Sequence, residues 1–398
     1  MANNGESKQP QVPDSKKEAS NEESSLMDEF YAAYGTGSHA TFVKSLTSDA
    51  ETVLDYEPLK LSSFRVFFLK RGTILANPVL FSEQMLLTFI FAAMAIPVYI
   101  FFKEDAAGSD FSIGRFLRMQ ENKMRKFAMI MTGLAAFLLS FYTSVCVSRW
   151  WTMRTAGVGA IKAAIVDLQM LISNCCRTDD SVLDAIERYG RVSLMLIFLW
   201  RQKELEHLKE IFSHDRRNLL TPDECDRLCK CREDNPKCAL HEVIWAWQTG
   251  IVNTLYKQGK ITSEQLYILL LEKCTEGRAA VQCVHTHLAV RVPMQYVHLL
   301  GFLVKMHNIV VAVIMGLLFG ASLRTGHVIL CVQLYARTLI LPFLFNAILL
   351  INCDLSDPFN GGEADFPGDA YQHNLGLDCK GVVEVARNCP KFLKDPIV

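Results

Sequence analysis

The sequence predicts an all-α membrane protein with four transmembrane helices and a helical cytosolic block between the second and the third. Two observations lead to this prediction. Four stretches are apolar over the roughly 20 residues that a helix needs to cross a bilayer. The region between the second and third stretch is charged instead, and its apolar residues recur at helical spacing with almost none of the alternation typical of strands.

The four apolar stretches differ in how strictly they exclude charge. They cover residues 85–102, 127–148, 293–323 and 328–353. The first two contain no charged residue, whereas the third contains Lys305 and the fourth contains Arg337. The first two are also too uniformly apolar for buried helices of a soluble protein. We therefore expect an integral, multi-pass membrane protein, and the sequence leaves open which membrane holds it.

Composition narrows the class of protein further. Half of the 398 residues are apolar, the mean hydropathy is +0.17 and the formal net charge is −1. This balanced charge, without a basic cluster interleaved with aromatic residues, argues against a nucleic-acid partner. The 13 cysteines are an odd number, and several lie inside apolar runs. They indicate reduced thiols in a chain facing the cytosol, not a disulfide framework.

Five segments follow from these patterns. Residues 1–55 carry ten acidic residues against four lysines, which predicts a disordered acidic N-terminal tail. Residues 56–148 hold an N-terminal segment and the first two transmembrane helices. Residues 149–291 form the helical cytosolic block, and residues 292–353 hold the last two transmembrane helices. Residues 354–398 form a loop and a C-terminal segment.

The cytosolic block shows clear helix signals. The stretch "DAIERYGRVSLMLIFLWRQKELEHLKEIF" at 184–212 has one apolar face and predicts a single long helix. In "TPDECDRL", Thr221 is the predicted N-cap, Pro222 occupies the first helical position and Glu224 completes a capping box. A further helix is expected to begin after Thr262 or Ser263.

The second apolar stretch has an unusual face. Gly133, Phe137, Ser140, Phe141, Ser144 and Ser148 recur at spacings of three and four residues, so they share one side of a helix. Small residues on such a face are typical of close helix packing. The alternative is a pore lining, because the positive edges of phenylalanine rings favour a partly dehydrated anion. One four-helix subunit cannot enclose such a path, so a pore requires an oligomer.

The motif "SRWW" is expected to end this helix. Arg149, Trp150 and Trp151 fit a membrane-interface anchor, because tryptophan rings concentrate at the depth of the lipid headgroups.

Several motifs in order resemble one known family. They are "FYTSVCVSRWW", "IERYGRVSLMLIFLWR", "VPMQYVHLL" and "LINCDLSDPFNGGEADF", with "RGTI" at 71–74 and "LLTPDEC" at 219–225. Together they resemble the bestrophins, pentameric anion channels of which several are activated by calcium. The resemblance covers about residues 60–370. It implies a funnel-shaped homopentamer with four membrane helices per subunit and a helical cytosolic vestibule.

The resemblance also implies residue roles along the ion path. The family's neck is lined by three apolar residues at four-residue spacing, which correspond here to Gly133, Phe137 and Phe141. Gly133 replaces a larger residue, so we expect a wider outermost ring. A second, cytosolic aperture corresponds to Gln265, which is polar where an aliphatic residue is usual. We therefore expect permeation of chloride and of the larger, more hydrated bicarbonate.

A calcium site is implied by the same resemblance. The family holds calcium in a clasp loop after the fourth transmembrane helix, with backbone near residues 56–59 completing the site. The corresponding residues that carry oxygen ligands are Asp357, Asn360, Glu363 and Asp365. Calcium takes six to eight oxygen ligands, and its affinity rises with the number of carboxylates. Because glycine and alanine dilute the acidic run here, we expect a weakened Ca²⁺ site.

Other clusters fit metal binding or catalysis poorly. Cys225, Cys229, Cys231, Cys238 and His241 lack the paired short spacing of structural zinc sites. In "CVHTH" at 283–287, the two histidines are two residues apart and do not share a helix face. His298 and His307 flank Lys305, and we interpret them as packing or as lining a hydrated crevice.

The sequence contains no nucleophile elbow, phosphate-binding loop or H-E-x-x-H motif, so we do not expect an enzyme. A metal-dependent membrane enzyme would require stoichiometric zinc in the cysteine-rich region. The main alternative to a channel is a non-conducting membrane scaffold or adaptor. In that case the face of the second apolar stretch that runs from Gly133 to Ser148, called the stripe below, only packs against another helix.

Overall fold

The computed structural model describes residues 41–44, 52–55, 73–101, 113–176, 180–215, 218–361 and 365–388. Nearly all of these residues are helical. The α-helices in these ranges are α1 (Pro78–Phe101), α2 (Ile113–Thr152), α3 (Ala160–Cys175), α4 (Asp180–Gln202), α5 (Leu208–His214), α6 (Pro222–Asp234), α7 (Leu240–Lys257), α8 (Glu264–Ala289), α9 (Met294–Arg324), α10 (Val328–Ser356) and α11 (Gly368–Arg387).

A short antiparallel ribbon precedes the helices. Strand β1 (Thr41–Lys44) pairs with β2 (Thr52–Asp55), and Thr41 lies opposite Asp55. These two stretches pair as strands within the acidic segment for which the sequence predicts a disordered tail. Threonine and valine recur in both strands, and such β-branched residues favour extended backbone. The remainder of the predicted tail lies outside the described residues.

Four helices are long and apolar enough to cross a membrane, as the sequence predicts. They are α1, α2, α9 and α10. Helix α9 packs against the other three. Its contact with α1 is very close, because a β-carbon added to Gly316 would lie 2.6 Å from the carbonyl oxygen of Phe91. Glycine at this position lets the two backbones approach without a side chain between them.

The second transmembrane helix does not end at the tryptophan pair. Its backbone continues through a π-helical turn, Met153–Gly159, directly into α3. Within that turn, a β-carbon on Gly157 would lie 2.3 Å from Cγ2 of Val284 on α8. No proline or left-handed residue interrupts this stretch, so the membrane part and the extramembrane block (residues 149–291) share one continuous helical rod.

Helices α3, α4, α7 and α8 form the core of the extramembrane block. Trp245 is buried at its centre, and its indole nitrogen donates a hydrogen bond of 2.8 Å to the Ser193 hydroxyl. Gly277 faces this indole, since an added β-carbon would lie 2.0 Å from the ring. The block therefore has its own well-packed core, separate from the packing of the membrane helices.

The predicted long helix over 184–212 is broken in the structure. Helix α4 ends at Gln202, Lys203 adopts a left-handed conformation with φ of 64°, and a 3₁₀ turn, Glu204–His207, leads into α5. A non-glycine residue in the left-handed region cannot continue an α-helix. The single-helix prediction is therefore wrong after Gln202, because periodicity alone does not register one left-handed residue.

The predicted helix starts are confirmed. The Thr221 hydroxyl accepts from the backbone nitrogen of Glu224, and the Glu224 carboxylate accepts from the backbone nitrogen of Thr221. Ser263 is the residue that caps α8, with its hydroxyl accepting from the backbone nitrogen of Leu266.

Helix α11 returns the chain from the membrane to the extramembrane block. It packs along α3 and α4, and two ion pairs join it to them, Lys162 with Asp378 and Arg387 with Asp180. The loop that follows the fourth transmembrane helix is consequently held against the end of α4.

Candidate ion path and the loop after the fourth transmembrane helix

The predicted neck residues lie on an open face of α2. Phe137 and Phe141 are 70% and 59% exposed, and nothing lies within 4 Å of a β-carbon added to Gly133. The other members of the stripe, Ser140, Ser144 and Ser148, are exposed as well. Four buried residues of this helix lie on the side opposite the stripe: Ala135, Leu139, Tyr142 and Cys146. They pack against α9 and α10.

The exposure of the stripe bears on its two interpretations, a helix-packing face and a pore lining. Among the residues that the structure describes, no helix of the same chain covers it, so none of the described helices uses it as a packing face. From Gly133 to Phe141 the stripe extends about 12 Å along the helix axis at 1.5 Å per residue. Further copies of the chain, or lipid, can face it.

Gln265, the predicted aperture residue, lies far from the neck. It is exposed in the first turn of α8, and its side-chain oxygen accepts a hydrogen bond of 2.8 Å from the Ser263 hydroxyl. The other end of α8, at Ala289, is about 36 Å away along the helix and leads directly into α9. Gln265 therefore occupies the end of the extramembrane block that is remote from the membrane.

The predicted anchor residues have contacts inside the protein. The Arg149 guanidinium donates to the carbonyl oxygens of His287 and Val290, the latter at 2.8 Å, and so caps the C-terminal end of α8. Trp150 packs on Phe366 with ring centroids 5.1 Å apart. Trp151 is the exposed member of the set. Anchoring at the membrane interface stays a prediction for these residues.

The start of the predicted clasp loop is held by an arginine. Nε of Arg201 donates to Oδ1 of Asp357 at 2.6 Å, and the terminal nitrogen donates to Oδ2. The hydrogen bonds that Arg201 donates to this carboxylate raise the pKa of Arg201, and burial has a smaller, opposing effect. Both carboxylate oxygens of Asp357 thus already face a cation that belongs to the protein.

Aromatic packing holds the two sides of the loop, at Phe359 and Phe366, against the protein. Phe359 is fully buried, and its ring lies 4.8 Å from that of Phe198 and 5.2 Å from that of Phe366. The backbone nitrogen of Phe366 donates to the carbonyl oxygen of Pro358 at 2.8 Å, which closes the loop. Gly361 has a φ of 87°, a conformation that favours glycine.

The other predicted calcium ligands are only partly brought together. Asn360 is exposed at the tip, and Asp365 follows at the other side of the closed loop. Glu363 and the backbone near residues 56–59 lie outside the described residues. The observed geometry therefore shows a closed loop with acids at both ends, of which the first is paired with Arg201.

A polar network links the four membrane helices. Lys305 on α9 pairs with Glu83 on α1 and donates to Oδ1 of Asn346 on α10 at 3.1 Å, and Asn308 donates to the same oxygen at 2.9 Å. The remaining links run from Asn308 to the His307 ring (3.1 Å) and from that ring to the Thr132 hydroxyl on α2 (2.9 Å).

The sequence predicted packing or a hydrated crevice for His307, and this network was not predicted. A signal for it was present, since polar side chains within apolar runs usually face one another. His298, by contrast, is exposed. Thr132 directly precedes Gly133, so the network reaches the residue beside the predicted neck.

The cysteine-rich region does not come together as one metal cluster. Cys231 and Cys238 approach with their sulfur atoms 4.0 Å apart. His241 turns away from them into the core and packs beside the rings of Trp200 and His285. Burial, with His285 next to it, lowers the pKa of His241 to about 3, so this ring is neutral.

Comparison with known proteins agrees with this architecture. The sequence profile of the family described as "Bestrophin, RFP-TM, chloride channel" matches residues 54–371. No curated protein sequence matches the chain.

Solved structures share the fold at low sequence identity. A single-substitution variant of a bestrophin homologue from Klebsiella pneumoniae has a TM-score of 0.58 and 14% identity, covering 75% of this chain and 99% of its own. The homologue from the same bacterium solved by zinc anomalous phasing has a TM-score of 0.56 at 14% identity, covering 75% and 98%. A structure described as a membrane protein has a TM-score of 0.57 at 14% identity, covering 77% and 99%.

The profile match extends over most of the chain. The four membrane helices and the helical block between them follow the fold of the solved homologues. The resemblance to the bestrophins that the sequence motifs predict is therefore confirmed. The chain belongs to the bestrophin family of anion channels.

Proposed function

We propose that the chain forms a homopentameric anion channel in which the α2 stripe lines a narrow neck and conducts chloride and bicarbonate. The observation that carries this proposal is the exposure of Phe137 and Phe141 on the side of α2 opposite its packed face. Around a central axis, five copies of this face would enclose a path about 12 Å long between Gly133 and Phe141.

The neck would select anions without a fixed positive charge. A phenylalanine ring is negative on its face and positive at its edge, so ring edges pointing at the axis favour an anion. Apolar rings also let a narrow passage lose its water and thereby close. At Gly133 no side chain fills the passage, so the two phenylalanine rings form the narrower part.

The aperture would be the less restrictive constriction. Gln265 is exposed and polar, and its amide can replace part of the hydration shell of a passing anion. This supports permeation of bicarbonate alongside chloride. An ion-substitution recording that shows strong exclusion of bicarbonate would contradict this part of the proposal.

Flux measurements in liposomes test the neck. We expect the wild-type protein to release trapped chloride, and Phe137→Ala to increase that release several-fold because it removes an apolar barrier. Phe89→Ala is the matched control, because Phe89 is a 71% exposed phenylalanine on α1, away from the stripe. Equal effects of the two substitutions would contradict the neck assignment. Absence of any chloride flux would instead indicate a non-conducting scaffold with the stripe as a packing face.

We also propose that the loop after α10 binds Ca²⁺ weakly and that binding regulates the channel. The closed loop and its oxygen-bearing residues Asn360, Glu363 and Asp365 support this proposal. The pairing of Asp357 with Arg201 removes one carboxylate from the ligand set. Because calcium affinity follows the number of charged ligands, we expect a dissociation constant of roughly 10⁻⁴–10⁻³ M.

Calcium titration by calorimetry and by flux tests this second proposal. Asp365→Asn removes a charged ligand and should weaken calcium binding at least about tenfold. Glu384→Gln, an exposed acid on α11, is the control and should leave it unchanged. Flux that is the same in chelator and in millimolar calcium would contradict regulation by calcium.

A further inference from the structure

A pair of histidines and a carboxylate meet where α7 begins and α8 approaches its end. His241 and Glu242 are in the first turn of α7, and His285 is in the last turns of α8. One ligand atom from each of these three side chains lies within 4.8 Å of the other two. None of the three residues belongs to the predicted neck or to the predicted calcium ligands of the loop after α10.

His241 is the unusual member of this cluster. It is 1% exposed, and among the residues that the structure describes neither of its ring nitrogens has a hydrogen-bond partner. Leaving a buried polar atom unsatisfied is costly, and native proteins rarely do so. A neutral imidazole in such a position is the form of histidine that binds a transition metal.

The surroundings of the cluster fit a metal site. The His241 and His285 ring centroids are 5.0 Å apart. Two imidazoles bound to one zinc ion at about 2.0–2.1 Å and a tetrahedral angle place their ring centroids about 5 Å apart. Ligand atoms of a tetrahedral zinc ion lie about 3.4 Å from each other, so the cluster needs only a small contraction. His285 and Glu242 are half-buried and can rotate to supply it.

Two further groups support the cluster from outside. Arg278 donates to Oε2 of Glu242 at 3.3 Å, which leaves Oε1 for a metal. Carboxylates that bind metals are commonly held by such a second hydrogen bond. Trp200 packs on both rings, at 4.6 Å from His285 and 5.6 Å from His241, and shields one side of the cluster from water.

We propose that His241, His285 and Glu242 bind a divalent transition-metal ion of the zinc class, with a water molecule as fourth ligand. The donor set of two imidazoles and one carboxylate favours zinc over calcium or magnesium, which prefer oxygen ligands alone. The ion would join α7 to α8. Through Trp200 it would also support the end of α4, where the neighbouring Arg201 holds the loop after α10.

Zinc titration of the purified full-length protein, stripped with a chelator, tests this site. We expect one Zn²⁺ per chain and a higher melting temperature in the presence of zinc. His285→Ala and Glu242→Gln should each lower the zinc affinity at least about 100-fold. His287→Ala is the matched control, since its ring lies outside the cluster on the same helix and contacts the Cys283 carbonyl. It should bind zinc as the wild type does.

A second measurement identifies the ligands without any substitution. Co²⁺ bound in place of zinc should show the visible spectrum of a four-coordinate site with nitrogen and oxygen ligands. A sulfur-to-cobalt charge-transfer band would assign the metal to Cys231 and Cys238 and overturn the proposal. Wild-type protein that binds no zinc stoichiometrically, or zinc binding by His285→Ala equal to that of the wild type, would overturn it as well.

Discussion

Glu224 shows how one side chain can organise the extramembrane block. Its carboxylate accepts from the backbone nitrogen of Thr221 at 2.7 Å, from Arg188 at 3.0 Å and from the Tyr189 hydroxyl at 2.5 Å. Burial raises the pKa of Glu224, but these hydrogen bonds outweigh it and bring the pKa to about 2. The capping box predicted from sequence is thus also the point where α6 is fastened to α4.

This depressed pKa predicts a pH-dependent effect of Glu224→Gln on stability. A carboxyl whose pKa is about 2 in the folded protein and about 4.3 in the unfolded chain stabilises the fold above about pH 5. Near neutral pH the substitution should cost about 3 kcal/mol. The difference should shrink as the pH falls from about 5 towards 2, because the contribution is lost on protonation.

Thermal unfolding of the detergent-purified protein at neutral and acidic pH measures this difference. Asp223→Asn is the control, since Asp223 neighbours Glu224 on α6 and its ion pair with Arg227 is exposed. A pH-independent effect of Glu224→Gln would show that the hydrogen bonds matter without the charge.

At the scale of elements, the membrane helices depend on backbone contact between α1 and α9. Gly316 and Gly320 lie one turn apart on α9, and added β-carbons would come within 2.6 Å and 2.4 Å of the carbonyl oxygens of Phe91 and Ala95. Lipid is as apolar as leucine, so close packing replaces the hydrophobic effect in holding such helices together.

Gly316→Ala is therefore expected to destabilise the membrane part. The added methyl group collides with backbone that cannot move aside, and overpacking of this kind costs about 1–3 kcal/mol. Gly301→Ala is the matched control on the same helix, because nothing lies within 4 Å of its added β-carbon. It should be neutral or slightly stabilising, since alanine favours helix over glycine. Melting temperatures in detergent measure both, and an equal response would contradict the close-contact account.

Several elements were predictable from sequence for physical reasons. The four spans follow from apolar length, and the start of α6 follows from the local chemistry of Thr221, Pro222 and Glu224. These signals are encoded within one stretch of chain, so they need no knowledge of what packs nearby.

The features that were missed depend on contacts between distant parts of the chain. The left-handed Lys203 ends α4 just where Arg201 reaches Asp357, 156 positions further along the sequence. His241 meets His285 only because α7 packs against α8. Spacing rules compare residues on one helix, so they could not find a cluster formed by residues of two helices.

For the whole molecule, the most important feature is the continuous helix formed by α2 and α3, because α2 bears the exposed stripe with Phe137 and Phe141. Helix α2 passes through the π-helical turn into α3, so the predicted neck and part of the core of the extramembrane block lie on one continuous helical segment. The described residues of one subunit leave the stripe on α2 uncovered, and in the proposed channel an assembly of several copies turns it into a conduit for ions. We expect the mass of the detergent-purified assembly to be five times that of one chain.

The most direct test of the account is the reversal potential of the reconstituted protein in a planar bilayer with a chloride gradient. Ring edges at Phe137 and Phe141 favour anions over cations, so the current should reverse close to the chloride equilibrium potential. Exchange of sodium for a large organic cation should leave the reversal potential unchanged. A reversal potential that follows the cation gradient, or no current at any calcium concentration, would contradict the assignment of this chain as an anion channel.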